Sequence, residues 1–308
     1  MVDPIQRFML KHDLAYDLFE LLTHSTLARL HARKRMKKFG EIAKSIGDGQ
    51  TVSTCGVRLF IDPASVHDVD LFANLTLDKG YIYEPGVTAL VKRQHPGYTF
   101  VDVGANNGYF SILAAKAVGK AGKVYAIEPT PATFNRLEKN VALNQFGNIL
   151  LFNVAAGDHD GSTLLNESAS EDGENSLLKI DNIKSRVHVP LMTLDRLLRN
   201  RHINLMKIDV EGYEKEVLAG CKGLLAKKQV DRIVFEYNHR LLHDNGHDYD
   251  GVFNLLVEND FVMHEILLNG RLSDKEIISH TQLTRLGAEI YAQSRTIRKN
   301  KRLINLRY

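Results

Sequence analysis

Thr99-Phe100-Val101-Asp102-Val103-Gly104-Ala105-Asn106-Asn107-Gly108 is the most telling stretch of this 308-residue chain. An apolar run ends in an acid and a small-residue turn. Twenty residues beyond Gly108 stands Glu128, closing the run Lys123-Val124-Tyr125-Ala126-Ile127. A strand, a glycine turn, a helix and a strand ending in an acid form a layout that binds nucleosides. Bare backbone at Gly104 and Gly108 permits close approach of a ligand and dihedrals that a Cβ forbids. A carboxylate at Glu128 would accept hydrogen bonds from two ribose hydroxyls at the carboxyl edge of the sheet. Read without a ligand, the same residues make only a tight strand-to-helix connection.

What the turn lacks decides which nucleoside it suits. A dinucleotide site wants G-x-G-x-x-G, so that a pyrophosphate rests on bare backbone at a helix N-terminus. Here the second glycine position is Asn106, and Asp102 sits just before the turn. An anion repels a pyrophosphate but attracts an ammonium and a sulfonium. The turn is therefore expected to hold S-adenosylmethionine (SAM) rather than NAD.

Working outward, strands and helices alternate from Phe100. A helix is expected from Tyr109, a strand to Glu128, and a helix from Pro131 with Thr130 as its cap. Further strands are expected at Ile149 to Val154, Ile203 to Asp209 and Arg232 to Tyr237, with late strands near 261–267 and 287–293. Helical patterns between the strands argue for a parallel sheet with right-handed crossovers. Residues 157–186, rich in Asp, Glu, Ser and Asn, read as a long polar loop over the site. Upstream, 3–46 read as two helices and 51–61 as a hairpin around Cys55-Gly56. The organisation expected is an N-terminal helical and hairpin extension (1–80), an α/β domain (81–294) and a basic tail (295–308).

Bulk properties narrow the class. A formal charge of +3 is too small to imply nucleic acid by itself. The two cysteines, Cys55 and Cys221, lack metal-ligand spacing and are too few for a disulfide framework, which points to a reducing, cytoplasmic setting. Asp13, Asp17 and Glu20 interrupt the N-terminal apolar pattern, so no signal-peptide core is expected there. No run of eighteen apolar residues predicts a membrane span.

Several separated blocks resemble the FkbM family of SAM-dependent methyltransferases, within the class I methyltransferase fold. They are Val101 to Ser111, Ile127-Glu128-Pro129, Asn140 to Asn144, Ala155-Ala156-Gly157-Asp158 and Met192-Thr193-Leu194-Asp195. Lys207-Ile208-Asp209-Val210-Glu211-Gly212-Tyr213-Glu214, Val217-Leu218-Ala219-Gly220 and Glu236 complete the series. The resemblance implies a mostly parallel Rossmann-like sheet flanked by helices. It implies that Gly104, Ala105, Asn106 and Gly108, with Asp102 and Tyr109 beside them, face the methionine part of SAM, and that Glu128 holds the ribose. Asp158 is similar to the position that faces the adenine amino group; it reads equally as a turn-forming Asp before Gly161.

The reaction that the resemblance implies is O-methylation, in which the acceptor hydroxyl must lose or share its proton. Asp209 and Glu236 fall at adjacent strand ends, with Lys207 close by, and these are the candidate catalytic residues. Asp209 or His239 could act as general base. Alternatively Asp209, Glu236 and Asn238 form an oxygen nest for a hard divalent ion, which the sequence permits but does not require. The plainer readings are a Lys207–Glu211 ion pair, Glu214 on a solvated helix face and His239 on the surface. The expected acceptor is a small molecule or glycan. Basic runs at Arg29 to Lys38 and Arg295 to Arg307 keep a polyanion in view. A missing N-P-P-Y-type block argues against a nucleobase target, while a ribose hydroxyl stays open, as does a non-catalytic binding module. Oligomeric state is not legible.

Overall fold

The computed structural model describes residues 40–298, except 78–80, 170–173, 181, 247, 249, 268–270 and 285–286. Of the two helices expected over 3–46, only 40–46 fall within it, and they are helical. The basic run Arg29 to Lys38 and the tail beyond 298 lie outside the described residues.

Strands β1 (Gln50–Thr54) and β2 (Val57–Ile61) form the expected hairpin. Helices α1 (Val66–Leu77) and α2 (Pro85–Lys92) lead into β3 (Thr99–Val103). Then α3 (Tyr109–Val118), β4 (Lys123–Ile127), α4 (Pro131–Asn144) and β5 (Ile149–Phe152) alternate. After β6 (Ala155–Ala156), β7 (Gly161–Ser168) and β8 (Ile183–Met192), α5 (Leu194–Leu198) returns the chain to β9 (Leu205–Ile208). It finishes through α6 (Glu214–Ala219), α7 (Lys222–Ala226), β10 (Arg232–Asn238), α8 (His239–Asp244), α9 (Gly251–Glu258), β11 (Phe261–Glu265), β12 (Gly287–Ser294) and α10 (Arg295–Arg298).

Seven strands make the main sheet in the order β11-β12-β10-β9-β3-β4-β5. The five from β10 to β5 run parallel, and β12 is antiparallel to both its neighbours. Helices cover both faces of a parallel sheet, which is why β3 and β9 are almost wholly apolar and buried. Strand order reverses between β3 and β9, and ligands of open α/β sheets bind outside the carboxyl ends at such a point. Beyond Thr99 at the start of β3, the exceptions to apolarity in these two strands are Asp102 and Lys207, which are partners in register.

The polar loop expected over 157–186 is instead largely a hairpin. β7 pairs antiparallel with β8, and β6 joins β8 in a separate three-stranded sheet. Lys184, Arg186 and His188 face water while Val189 and Leu191 are buried with Leu165 and Ala155. A strand with one wet face reads as polar by composition although its period is two. Thr130 occupies the N-cap of α4 but makes no side-chain cap bond, so the expected capping does not occur. Its hydroxyl accepts a hydrogen bond from Asn175 Nδ2 at 3.3 Å instead.

The hairpin is built into the sheet's own core, because Val57, Leu59 and Ile61 share one apolar cluster with Phe100, Ile112 and Val124. Asn140, fully buried, fastens it. Its Nδ2 donates to the Asn107 carbonyl at 2.8 Å, and its Oδ1 accepts from the Phe60 N–H at 2.7 Å. Asn107 Nδ2 in turn donates to Asp68 Oδ1 at 2.7 Å. The segment ahead of β3 thus braces the glycine turn.

Candidate active site

The turn after β3 needs three left-handed residues: Gly104 (φ 79°), Asn106 (φ 48°) and Gly108 (φ 90°). The Gly104 and Ala105 N–H groups donate to the Ile127 carbonyl at 2.9 and 3.0 Å, which pins the turn to β4. A Cβ on Gly104 would stand 1.7 Å from the Asp209 carbonyl oxygen, so the ends of β3 and β9 touch through bare backbone. Glu128 Oε2 accepts from the Asn106 N–H at 3.0 Å, and Oε1 from the Thr130 N–H at 2.9 Å. Burial pushes the Glu128 carboxyl up, and those two N–H groups oppose the shift.

Two cavities open at the switch point. The smaller is lined by Gly104, Asn106 and Glu128 of the expected set, with Ala156, Leu165, Leu177 and Tyr213 as an apolar wall. The larger, about 510 Å³, is lined by Asp209, Glu211, Glu236, Asn238 and Arg240, and by His67, Tyr83, Glu84 and Lys179. Asn106, Asp209 and Glu211 line both. Asn106 Oδ1 is buried with no hydrogen-bond partner among the described residues.

The other expected cofactor residues are placed differently. Asp102 is 1% exposed and accepts from Ser111 Oγ at 2.6 Å; burial pushes its carboxyl up to about 6 against the pull of Lys207. Ala105, Gly108 and Tyr109 shape the turn from behind. The Tyr109 hydroxyl lies 3.2 Å from Thr88 Oγ1 and 3.6 Å from Cys55 Sγ. Asp158 is about half exposed and sits 2.7 Å from His159 Nδ1. It lies in the bend ahead of β7, where Asp160 Oδ1 accepts the Thr193 N–H at 2.9 Å. That bend turns Asp160 toward the start of α5, where its Oδ2 also accepts from Arg196 Nη1 at 3.0 Å. The Asp158 carboxylate lies within electrostatic reach of Tyr213, which lines the smaller cavity.

The carboxylates gather around one lysine. Lys207 is 5% exposed, and its Nζ donates to Asp209 Oδ2 at 2.7 Å and lies 4.9 Å from the centre of the Phe110 ring. Burial disfavours its ammonium, but Asp209, Glu84 and Asp102 outweigh that and hold its pKa above the ordinary lysine range. The ion pair is therefore with Asp209, not Glu211, since Asp209 lies two residues along the same strand edge. Glu211 accepts from Asn238 Nδ2 at 3.1 Å instead. Glu214, expected on a wet helix face, is 4% exposed. Its Oε1 accepts the N–H groups of Val210 and Gly212 at 3.2 and 3.3 Å, closing the turn after β9.

His239, expected at the surface, is fully buried and packs against Tyr237 and His280. The lining of the two cavities does not include it. Asn238 Oδ1 accepts the Leu241 N–H at 3.2 Å as the cap of α8, so that oxygen is already engaged. Glu211 takes its place in the oxygen cluster, for carboxylate oxygens of Asp209, Glu211 and Glu236 lie within 4.8 Å of one another. Burial, then Asp209 and Glu84, push Glu236 up to about 8. Glu84, which the sequence reading passed over, is pushed up to about 7 by burial, with Lys207 opposing. An acid directly before Pro85 at a helix start was the available signal, lost because it stands eighteen residues ahead of the acid in the glycine-turn motif.

The Methyltransferase FkbM domain matches residues 102–263, more than half of the chain. No curated protein matches it. Among solved structures, the chain is similar to a SAM-dependent O-methyltransferase from Thermotoga maritima, at 14% identity over 80% of this chain and 77% of that one, with a TM-score of 0.39. It is similar to a putative rRNA methylase from Clostridium thermocellum at 11% identity, over 69% and 97%, with a TM-score of 0.43. A precorrin-6y C5,15-methyltransferase from Geobacter metallireducens gives 13%, 70%, 93% and 0.39 in the same terms.

Proposed function

The chain belongs to the FkbM methyltransferase family, whose methyl donor is SAM, and on that premise we propose that it methylates a hydroxyl of a small-molecule or carbohydrate acceptor. The observation that carries this reading is the meeting of two unlike cavities at Asn106, Asp209 and Glu211. In this reading the smaller would hold SAM, with the bare backbone of Gly104 beside it, the orphaned Oδ1 of Asn106 for its ammonium and Glu128 for its ribose diol. When bound there, SAM supplies an electrophilic methyl group on a sulfonium.

The larger cavity is lined chiefly by carboxylates and amides, which accept from and donate to a hydroxylated acceptor such as a sugar. Lys207 fixes the Asp209 carboxylate, and Asp209 accepts the hydroxyl's hydrogen bond and aims its oxygen at the methyl group. Asp209, Glu211 and Glu236 support a second reading, in which their oxygens would hold a hard divalent cation whose charge would acidify the hydroxyl. Among the described residues no helix is long and apolar enough to cross a membrane. Free Cys55 and Cys221 agree with a cytoplasmic setting.

The test is transfer of label from methyl-labelled SAM to monosaccharides, methyl glycosides, phenols, amines and RNA, each with magnesium or with a chelator. Label on hydroxyls supports the proposal, and label only on amines or RNA overturns it. Loss of transfer with the chelator selects the second reading. Glu128→Ala is expected to weaken S-adenosylhomocysteine binding by about 10- to 100-fold, since hydrogen bonds to a charged partner contribute about 1.5–3 kcal/mol. Calorimetric titration of the two proteins checks this.

A further inference from the structure

Glu84 lies outside the family match and ahead of the strand that carries the cofactor turn. It stands at the N-cap of α2, where an acid ordinarily turns back onto the first-turn N–H groups. Its side chain makes no cap hydrogen bond. Its backbone is held at φ 39°, ψ 69°, a left-handed conformation rare for a residue with a side chain and disfavoured further by the proline that follows. Such strain persists only where neighbours over-determine it.

The neighbours do so here. The Tyr83 ring packs edge-on against His67 and Tyr109, each at 5.6 Å, and tilted against Phe110 at 6.0 Å. Thr88 Oγ1 donates to the Tyr83 carbonyl at 2.6 Å, and the Thr88 N–H to the Glu84 carbonyl at 2.8 Å. The result is a carboxylate turned away from its helix and onto the wall of the larger cavity, which it shares with Asp209.

Two of the other acids of that wall are already engaged. Asp209 Oδ2 is bonded to the Lys207 ammonium, and an oxygen so engaged is a poor proton acceptor. Glu211 is tied to Asn238. Glu236 extends from regular strand with no strain to explain. Lys207 acts on Glu84 as well, but Glu84 takes its side-chain hydrogen bond from Tyr83.

We propose that Glu84 is the general base, taking the proton of the hydroxyl that is methylated; this rests on the methyl-transfer reading above. As the acceptor's O–H bond breaks, the proton passes to the Glu84 carboxylate. The oxygen forms its bond to the methyl carbon, and the carbon–sulfur bond breaks with its electron pair remaining on sulfur. The products are the methyl ether and S-adenosylhomocysteine, and the proton leaves Glu84 to water.

The experiment compares Glu84→Gln and Glu84→Gly with wild type, and Glu236→Gln beside them. S-adenosylhomocysteine affinity is expected to stay within about twofold, since Glu84 does not line the smaller cavity. Melting temperature is expected to rise by about 2–4 °C, because one acid leaves an acid-rich cluster and, in the glycine variant, the backbone strain goes too. Transfer to the best glycoside or phenol of the panel is expected to fall at least about 100-fold.

A lower melting temperature in both variants would make Glu84 a structural partner of Lys207 and overturn the proposal. Transfer kept within about threefold of wild type, or lost only in Glu236→Gln, would overturn it as well. If the wild type itself binds no S-adenosylhomocysteine, the methyl-transfer reading has failed. The melting temperatures still report whether Glu84 is strained or structural.

Discussion

Gly104→Ala is expected to abolish S-adenosylhomocysteine binding and to lower the melting temperature by at least about 5 °C. Two independent causes act at this position. Its φ of 79° is a conformation that an alanine adopts only under strain. Its new Cβ would also meet the Asp209 carbonyl oxygen at 1.7 Å and the carbonyl carbon at 2.8 Å. A flexible side chain could swing aside, but this obstacle is backbone. The Asp209 N–H donates to the Val103 carbonyl at 2.9 Å, so making room means parting β3 from β9 at the point where the cavities meet. Gly147 is the control: a Cβ there meets nothing within 4 Å, and Gly147→Ala should bind and melt like wild type. Calorimetry and a thermal melt read both variants.

Asp209→Asn is expected to cost about 10²- to 10⁴-fold in methyl transfer while leaving S-adenosylhomocysteine affinity within about threefold. The substitution keeps the size of the side chain and removes its charge. Lys207 loses its 2.7 Å ion pair but still has Glu84 and Asp102 near, so the fold should survive. What is lost is the fixed anion at the junction of the two cavities, needed only when a hydroxyl must be aimed at the methyl group. An equal fall in affinity and in transfer would instead make Asp209 a cofactor-binding residue. A kcat measured at saturating SAM separates the two.

The sheet was legible because its signals are local. Each buried strand is an apolar run beside a turn, and Asp102-Val103-Gly104 carries its own dihedral demand. The acids at the strand ends were found for the same reason. What escaped depends on neighbours distant in the chain. β7 and β8 hide as a polar stretch because only alternate residues face Leu165 and Ala155. Glu214 looks like an exposed helix residue until its carboxylate is seen closing the turn at Val210 and Gly212. His239 sits beside exposed Arg240, yet it is buried through rings supplied by Tyr237 and by His280, forty-one residues away. Asp158 reads both as a ligand contact and as a turn former before Gly161, because one residue type serves both ends. Glu84 needed the whole acceptor cavity in view before its misdirected N-cap meant anything.

Titration calorimetry reads whether the turn at Gly104, Asn106 and Glu128 holds a sulfonium nucleoside. Purified wild-type protein should bind S-adenosylhomocysteine at one site and leave NAD unbound. Absence of S-adenosylhomocysteine binding, or a preference for NAD, would contradict the account at its root.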